Sequence, residues 1–159
     1  MDQIYTHPKR KTKVVFVQLG SPSEPTTKAL RKYLRKFLGD PRVVDINPWL
    51  WKIILNFFVL PFRPKKSAKL YARIWDGKSF PLITNTRDFT NNVREELKKI
   101  DPNGYVEVNH AFLLSPPYVN EVYDSWEDDL KKGIGATKLL VIPMFPQYSE
   151  STIASGIDA

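Results

Sequence analysis

Three short segments bring together residues whose types could meet a ligand. Gln18-Leu-Gly-Ser-Pro22, Phe112-Leu-Leu-Ser-Pro116 and Met144-Phe-Pro-Gln-Tyr-Ser149 each follow an apolar run and are rich in Gly, Pro or Ser. Amides and hydroxyls on such turns can meet the polar edge of a ligand. Other chemistries are excluded by residue type. The chain has no cysteine, so a disulfide scaffold, a thiolate zinc site, a cysteine-ligated iron–sulfur cluster and a cysteine nucleophile all fall away. Two histidines, His7 and His110, do not make a multi-histidine metal site. Gly20-Ser-Pro-Ser23 lacks the second and third glycines of a dinucleotide-binding turn, which disfavours a Rossmann cofactor site.

The elements that must carry these segments alternate in period. Val14-Val-Phe-Val-Gln-Leu19 reads as a buried strand that leaves into a loop at Gly20. Leu30, Tyr33, Leu34, Phe37 and Leu38 fall on one face of a helix that Gly39 and Pro41 stop. Ser67, Leu70, Tyr71, Ile74 and Trp75 repeat the pattern, with Pro64 expected in that helix's first turn. A further helix carries Phe89, Val93, Leu97 and Ile100 and closes at Asp101-Pro-Asn-Gly104. Val106–Phe112 alternates as a strand, Val119–Leu130 is a helical stripe ended near Gly133 and Gly135, and Leu139–Ile142 reads as a buried strand. This order predicts an α/β layer around a mostly parallel sheet, whose ligands sit at the carboxyl ends of the strands, where the three segments converge.

Charge is uneven along the 159 residues. Residues 1–78 hold seventeen Lys and Arg against five acids, and residues 79–159 hold seven against twelve. A basic half invites anionic partners, although a solvated surface and a loose tail around Lys9, Arg10, Lys11 and Lys13 account for the same count. Nucleic acid is the weaker candidate, because base-stacking motifs are not evident. Trp49–Phe62 is the most apolar stretch, interrupted by Lys52, Asn56 and Pro61. It is too short to span a bilayer. It reads either as a core helix or packed loop, or as an exposed lip flanked by Arg42, Arg63, Lys65 and Lys66 that admits a flat apolar ligand or rests on an anionic membrane. The amino terminus lacks a signal-peptide pattern, so a cytoplasmic location is the default. A covering helix is expected after the last strand and has barely begun at Ala159, which favours a piece of a longer protein.

Taken in order, Leu19-Gly-Ser-Pro22, Arg31-Lys-Tyr-Leu-Arg-Lys-Phe-Leu38, Asp40-Pro-Arg-Val-Val-Asp45, Leu60-Pro-Phe-Arg-Pro-Lys-Lys-Ser-Ala-Lys-Leu-Tyr71, Ile74-Trp75 and Pro146-Gln-Tyr-Ser149 with Ser151-Thr152 resemble the ferrochelatases, which insert ferrous iron into a porphyrin. The likeness covers the amino-terminal half of the family's length. It implies a chelatase-like (Rossmann-like) lobe with a parallel four-stranded sheet flanked by helices. The lobe occupies residues 14–159 behind a basic tail at 1–13, and the porphyrin lies between it and a second lobe. By this resemblance Arg63 and Tyr71 contact the porphyrin and its propionates. A guanidinium fork suits a carboxylate, and a tyrosine offers a ring face and a donor. Gln18 and Leu19 on the first strand exit, and Tyr148 and Ser149 on the last, stand at the cleft, and the family's porphyrin-facing serine, where Gly-Ser-Pro-Leu reads Lys78-Ser79-Phe80-Pro81-Leu82, is either shifted to Ser79 or lost.

The catalytic histidine and its carboxylate partner fall in the family's second lobe, so no catalytic or metal-binding residue is assigned here, and neither His7 nor His110 takes that role. Ferrous iron and porphyrin are substrates, and no tightly bound cofactor is implied. Where some members carry a cluster-binding cysteine this chain has Glu150, and a strand exit that commonly carries a basic residue reads Phe112-Leu113-Leu114. The expected partners are porphyrin, the second lobe and, through Trp49–Phe62, a membrane surface. The competing reading is a stand-alone porphyrin or haem carrier without catalysis.

Overall fold

A computed structural model describes residues 11–147. Three parallel strands, β1 (Thr12–Gln18), β2 (Val106–Phe112) and β3 (Lys138–Pro143), form a sheet in the order β2-β1-β3. The central strand carries Val14, Val15, Phe16 and Val17, all buried, as a strand covered on both faces must. Val14 pairs with Val108 on one side and Leu140 on the other. Three strands, rather than the four anticipated, are present among the described residues.

Helices cover both faces. Val14, Phe16 and Val108 pack against Val93 and Leu97 of α4 (Pro81–Ile100), with Phe89 edge-on to Phe16 at 5.1 Å. The opposite face, Val15, Val17 and Ala111, packs against Val119 and Val122 of α5 (Val119–Lys131). The margins of the sheet differ. Arg94 Nε donates to the Val108 carbonyl at 2.7 Å and its Nη2 to Asn109 Oδ1 at 3.0 Å, closing the outer side of β2. On β3, by contrast, Leu140, Val141 and Ile142 are exposed, although the sequence reads as a buried strand. Its apolar residues lack a covering layer among the described residues.

A second apolar cluster sits above the carboxyl ends of the strands. Helix α1 (Thr27–Gly39), capped by Thr26 Oγ1 accepting from the Ala29 N–H at 3.2 Å, buries Tyr33, Leu34 and Leu38. These meet Leu55 and Leu60 from a continuous helical run. The run begins as α2 (Pro48–Ile54), loosens to a π turn over Leu55–Val59, resumes as α3 (Leu60–Tyr71) and ends in a 3-10 turn at Ala72–Ile74. Prolines explain its irregularity. Pro61 has no N–H to continue an α ladder, and the Leu60 N–H reaches back five residues to the Leu55 carbonyl. Pro64 lies inside α3, not in the first turn as the spacing predicts. Its missing N–H leaves the Leu60 carbonyl without its usual donor, and Arg31 Nε of α1 fills the place at 3.2 Å.

The run bears on both readings of Trp49–Phe62. Leu55 and Leu60 are buried, but Trp49 is 79% exposed, Phe57 70%, Phe58 65% and Phe62 72%. One face of the segment is thus a core helix and the other carries rings exposed among the described residues. Trp51 anchors it, its indole N–H donating to the Leu38 carbonyl at 2.6 Å.

Two outcomes test this packing. Arg31→Ala should lower stability by about 1 kcal/mol in urea unfolding, because a carbonyl that proline has already stripped of its partner loses its substitute. On β2, the His110 imidazole is held below its ordinary range near 6.5 by burial, then by Arg94 and Arg87. As pH falls through that range the unfolded chain takes up the proton first, so stability should fall between pH 7 and 5 and fall less steeply in His110→Gln.

Candidate functional site

The three strand exits converge as their sequence predicts, and backbone hydrogen bonds fasten them together. The Leu113 N–H donates to the Gln18 carbonyl and the Leu114 N–H to the Leu19 carbonyl, both at 3.0 Å. On the other side the Met144 N–H donates to the Val17 carbonyl at 2.9 Å. Gln18 spans the gap: its side-chain Nε2 donates to the Met144 carbonyl at 2.9 Å, and its Oε1 accepts from the Leu19 N–H at 3.2 Å. With donor and acceptor both engaged, the Gln18 amide shapes the edge from within. Leu19 beside it is half-buried.

Gly20 follows with φ +92°, a conformation that side chains disfavour. Its carbonyl accepts from the Tyr33 hydroxyl at 3.4 Å, and so joins the β1 exit to α1. Tyr33 is buried, and its ring stands 6.4 Å from that of Tyr71 at the end of α3. Burial, with the neighbouring Tyr71 hydroxyl, pushes the Tyr33 phenol far above its ordinary value, so it remains protonated and a donor. Tyr71 is half-buried and lies edge-on to Phe80 at 5.4 Å; Trp75 meets the same Phe80 at 4.7 Å.

Arg63 stands eight residues before Tyr71 on the same helix, about 12 Å away along the axis. It is exposed and has no ion-pair partner among the described residues, so its guanidinium is available to an anion. Ser79 is half-buried in a tight turn. Asp76 Oδ1 accepts from the Lys78 N–H at 2.7 Å and the Ser79 N–H at 2.5 Å, and these bonds hold the Asp76 carboxyl below its usual range. The turn delivers Ser79 next to Phe80, and Phe80 to Tyr71. Tyr71 and Ser79 are thus grouped near the Gly20 exit through Tyr33 and Phe80, while Arg63 lies two turns away. Tyr148 and Ser149 lie outside the described residues, as does His7.

The apolar substitution at the β2 exit has a packing role. Leu113 joins the Val15, Val17 and Ala111 cluster, and Leu114 joins the α1–α3 cluster on the other side. The exit is therefore sealed by two leucines. His110 is not at the edge: its ring packs on Phe112 at 5.5 Å, and its buried Nδ1 has no hydrogen-bond partner. No group of three or more acidic or histidine side chains able to hold a metal ion occurs among the described residues. Tyr33 is a residue that sequence reasoning missed in this role. It falls on the apolar stripe of α1, and nothing in that spacing tells a packed ring from one whose hydroxyl supports a strand exit.

Comparison with known proteins bears on the whole chain. The family model described as Ferrochelatase matches residues 11–159. The ferrochelatase of Idiomarina loihiensis is 42% identical over 146 residues, which is 92% of this chain and 38% of that protein. Ferrochelatase 1 of Shewanella oneidensis is 40% identical over 97% of the chain and 44% of its own length. The ferrochelatase of Teredinibacter turnerae is 41% identical over 99% of the chain and 42% of its own length. The chain thus spans about two-fifths of the curated relatives it matches. With a family model running from residue 11 to residue 159 and relatives near 40% identity across almost all of it, the protein belongs to the ferrochelatase family.

Proposed function

We propose that this chain forms one wall of a porphyrin cleft in a protein that inserts ferrous iron into a porphyrin for haem synthesis. The observation that carries the reading is the joining of the Gly20 exit, Tyr33, Tyr71 and Phe80 in a chain of family membership, beside a helix that offers Arg63 to solvent. In this reading the Arg63 fork pairs with a porphyrin propionate, and Tyr71 and Ser79 contact the macrocycle or its carboxylates. Gln18 and Leu19 form the edge beneath it, and Tyr148 and Ser149 are further porphyrin-contacting residues. Residues 14–159 make up the lobe and residues 1–13 a basic tail. The sheet of the lobe has a fourth parallel strand, and the second lobe supplies the base that removes the pyrrole protons. Ferrous iron and porphyrin are substrates, with no resident cofactor held by this chain.

The exposed aromatic lip supports a peripheral membrane contact in a cytoplasmic protein. Trp49, Phe57, Phe58 and Phe62 stand out from a helical run flanked by Arg63, Lys65 and Lys66. Apolar rings among cations suit an anionic bilayer surface. No helix among the described residues is long and apolar enough to cross a membrane.

Two experiments test these statements. Porphyrin titrated into the chain should shift its Soret band saturably. Arg63→Ala and Tyr71→Phe should each weaken binding roughly threefold to tenfold, as expected for exposed charge-assisted contacts. Equal affinity in both variants would remove these residues from the site, and iron insertion by the 159-residue chain alone would overturn the assignment of catalysis to the second lobe. Separately, the chain should co-sediment with phosphatidylglycerol vesicles and less with phosphatidylcholine, and Phe57→Ser with Phe58→Ser should release it. Indifference to that double substitution counts against the lip.

A further inference from the structure

We propose that a cavity of about 170 Å³ between α1 and the β2 exit binds a small oxyanion, the carboxylate or phosphate group of a ligand with a short body. Its lining shares Tyr33 with the proposed porphyrin wall but includes none of Arg63, Tyr71 and Ser79. Ser21 and Ser115 form its inner end, Lys32, Tyr33 and Lys36 of α1 form one side, and Tyr118 closes the other.

The inner end is rich in donors. Ser21 is only 7% exposed, and its hydroxyl has no hydrogen-bond partner among the described residues, though the residue lines the cavity. The enclosed unpartnered side-chain atoms of the described residues are Thr84 Oγ1 and His110 Nδ1, so the Ser21 hydroxyl is instead open to the cavity, where a ligand oxygen can accept from it in place of water. Ser115 is 8% exposed, and its Oγ already accepts the Ser21 N–H at 3.3 Å, so its own proton remains to be donated. Two hydroxyl protons thus face the same small volume. Their positions are fixed by a close approach, since a Cβ at Gly20 would fall 2.4 Å from Ser115 Oγ.

The mouth is cationic. Lys32 and Lys36 lie four residues apart and share one face of α1, a helix without Asp or Glu. Neither has a carboxylate partner among the described residues, and Lys36 Nζ sits 4.1 Å above the Tyr118 ring, which holds it beside the opening. Glu24, on the loop before α1, accepts from the Thr26 hydroxyl at 3.0 Å. Hydroxyl donors at the base and ammonium groups at the rim, with apolar Pro22 and Leu114 between them, select a negative oxygen group on a compact apolar body and reject a cation.

The test is an amide-resolved NMR titration of the 159-residue chain with sodium propionate and, separately, inorganic phosphate, at ionic strength held constant with sodium chloride. Saturable shifts are expected at Ser21, Ser115 and Tyr118. Lys36→Gln and Ser21→Ala should each weaken binding roughly threefold or more, while Lys98→Gln on α4 and Arg63→Ala should leave it unchanged. Tighter binding of propionate assigns a carboxylate ligand, and tighter binding of phosphate a phosphorylated one. Shifts that grow linearly without saturation, or that Lys36→Gln does not alter, overturn the proposal. Loss of binding in Arg63→Ala overturns its separation from the porphyrin wall. Should Ser21→Ala fail to fold, the solvent-facing Lys36→Gln still decides.

Discussion

Much of this molecule follows from how closely the β1 exit approaches the β2 exit at Gly20. The backbone there adopts φ +92°, and any Cβ would meet Ser115 Oγ at 2.4 Å and Phe112 Cβ at 3.1 Å. The strand pair carries its hydrogen bonding past the end of its ladder, through Leu113 and Leu114. That leaves the Gly20 carbonyl free to accept from Tyr33, which docks α1 onto the sheet edge. Tyr33 sets the place of Tyr71, and Phe80 backs Tyr71 in turn. A larger residue at position 20 acts first on the distance between the two exits, and through it on the helices above.

The helical layer over that edge is held by a few polar contacts and bears its irregularities openly. Two prolines within four residues would break most helices. Here one is absorbed by a π turn and the other by the Arg31 guanidinium, which takes over a carbonyl from a neighbouring helix. The run therefore stays helical through both prolines, with the Leu60 carbonyl still bonded. Its apolar residues then divide into those that meet α1, chiefly Leu55 and Leu60, and the rings that face outward.

The sequence made the alternation of strands and helices legible because the buried strands are β-branched runs and the helices have clean stripes. The convergence of the three exits followed from the parallel topology that this alternation implies. The Leu60–Tyr71 and Arg31–Leu38 segments carried enough matching residues to indicate the family, and Arg63 and Tyr71 came with it. The start of α3 was not legible, since a proline usually marks a first turn and only a contact from Arg31 lets it sit deeper. Nor was the exposure of β3: Leu-Leu-Val-Ile reads as buried, and what covers such a strand is a matter of neighbours, not of its own composition. Tyr33 escaped because a stripe of apolar positions reports ring burial and says nothing of where a hydroxyl points.

The two margins of the sheet give it a direction. Beside β2 the Arg94 guanidinium occupies a carbonyl that an added strand would need, whereas among the described residues β3 has no such guard. A sheet open on both sides can polymerise, each newcomer exposing a fresh template. One that is stoppered on a single side cannot. If copies of this chain meet through their strands, the meeting uses β3 twice, related by a two-fold axis, and leaves Arg94 facing outward at either extremity. Such an encounter terminates itself at a pair, so one arginine on the far side limits how far misassembly at the near side can run.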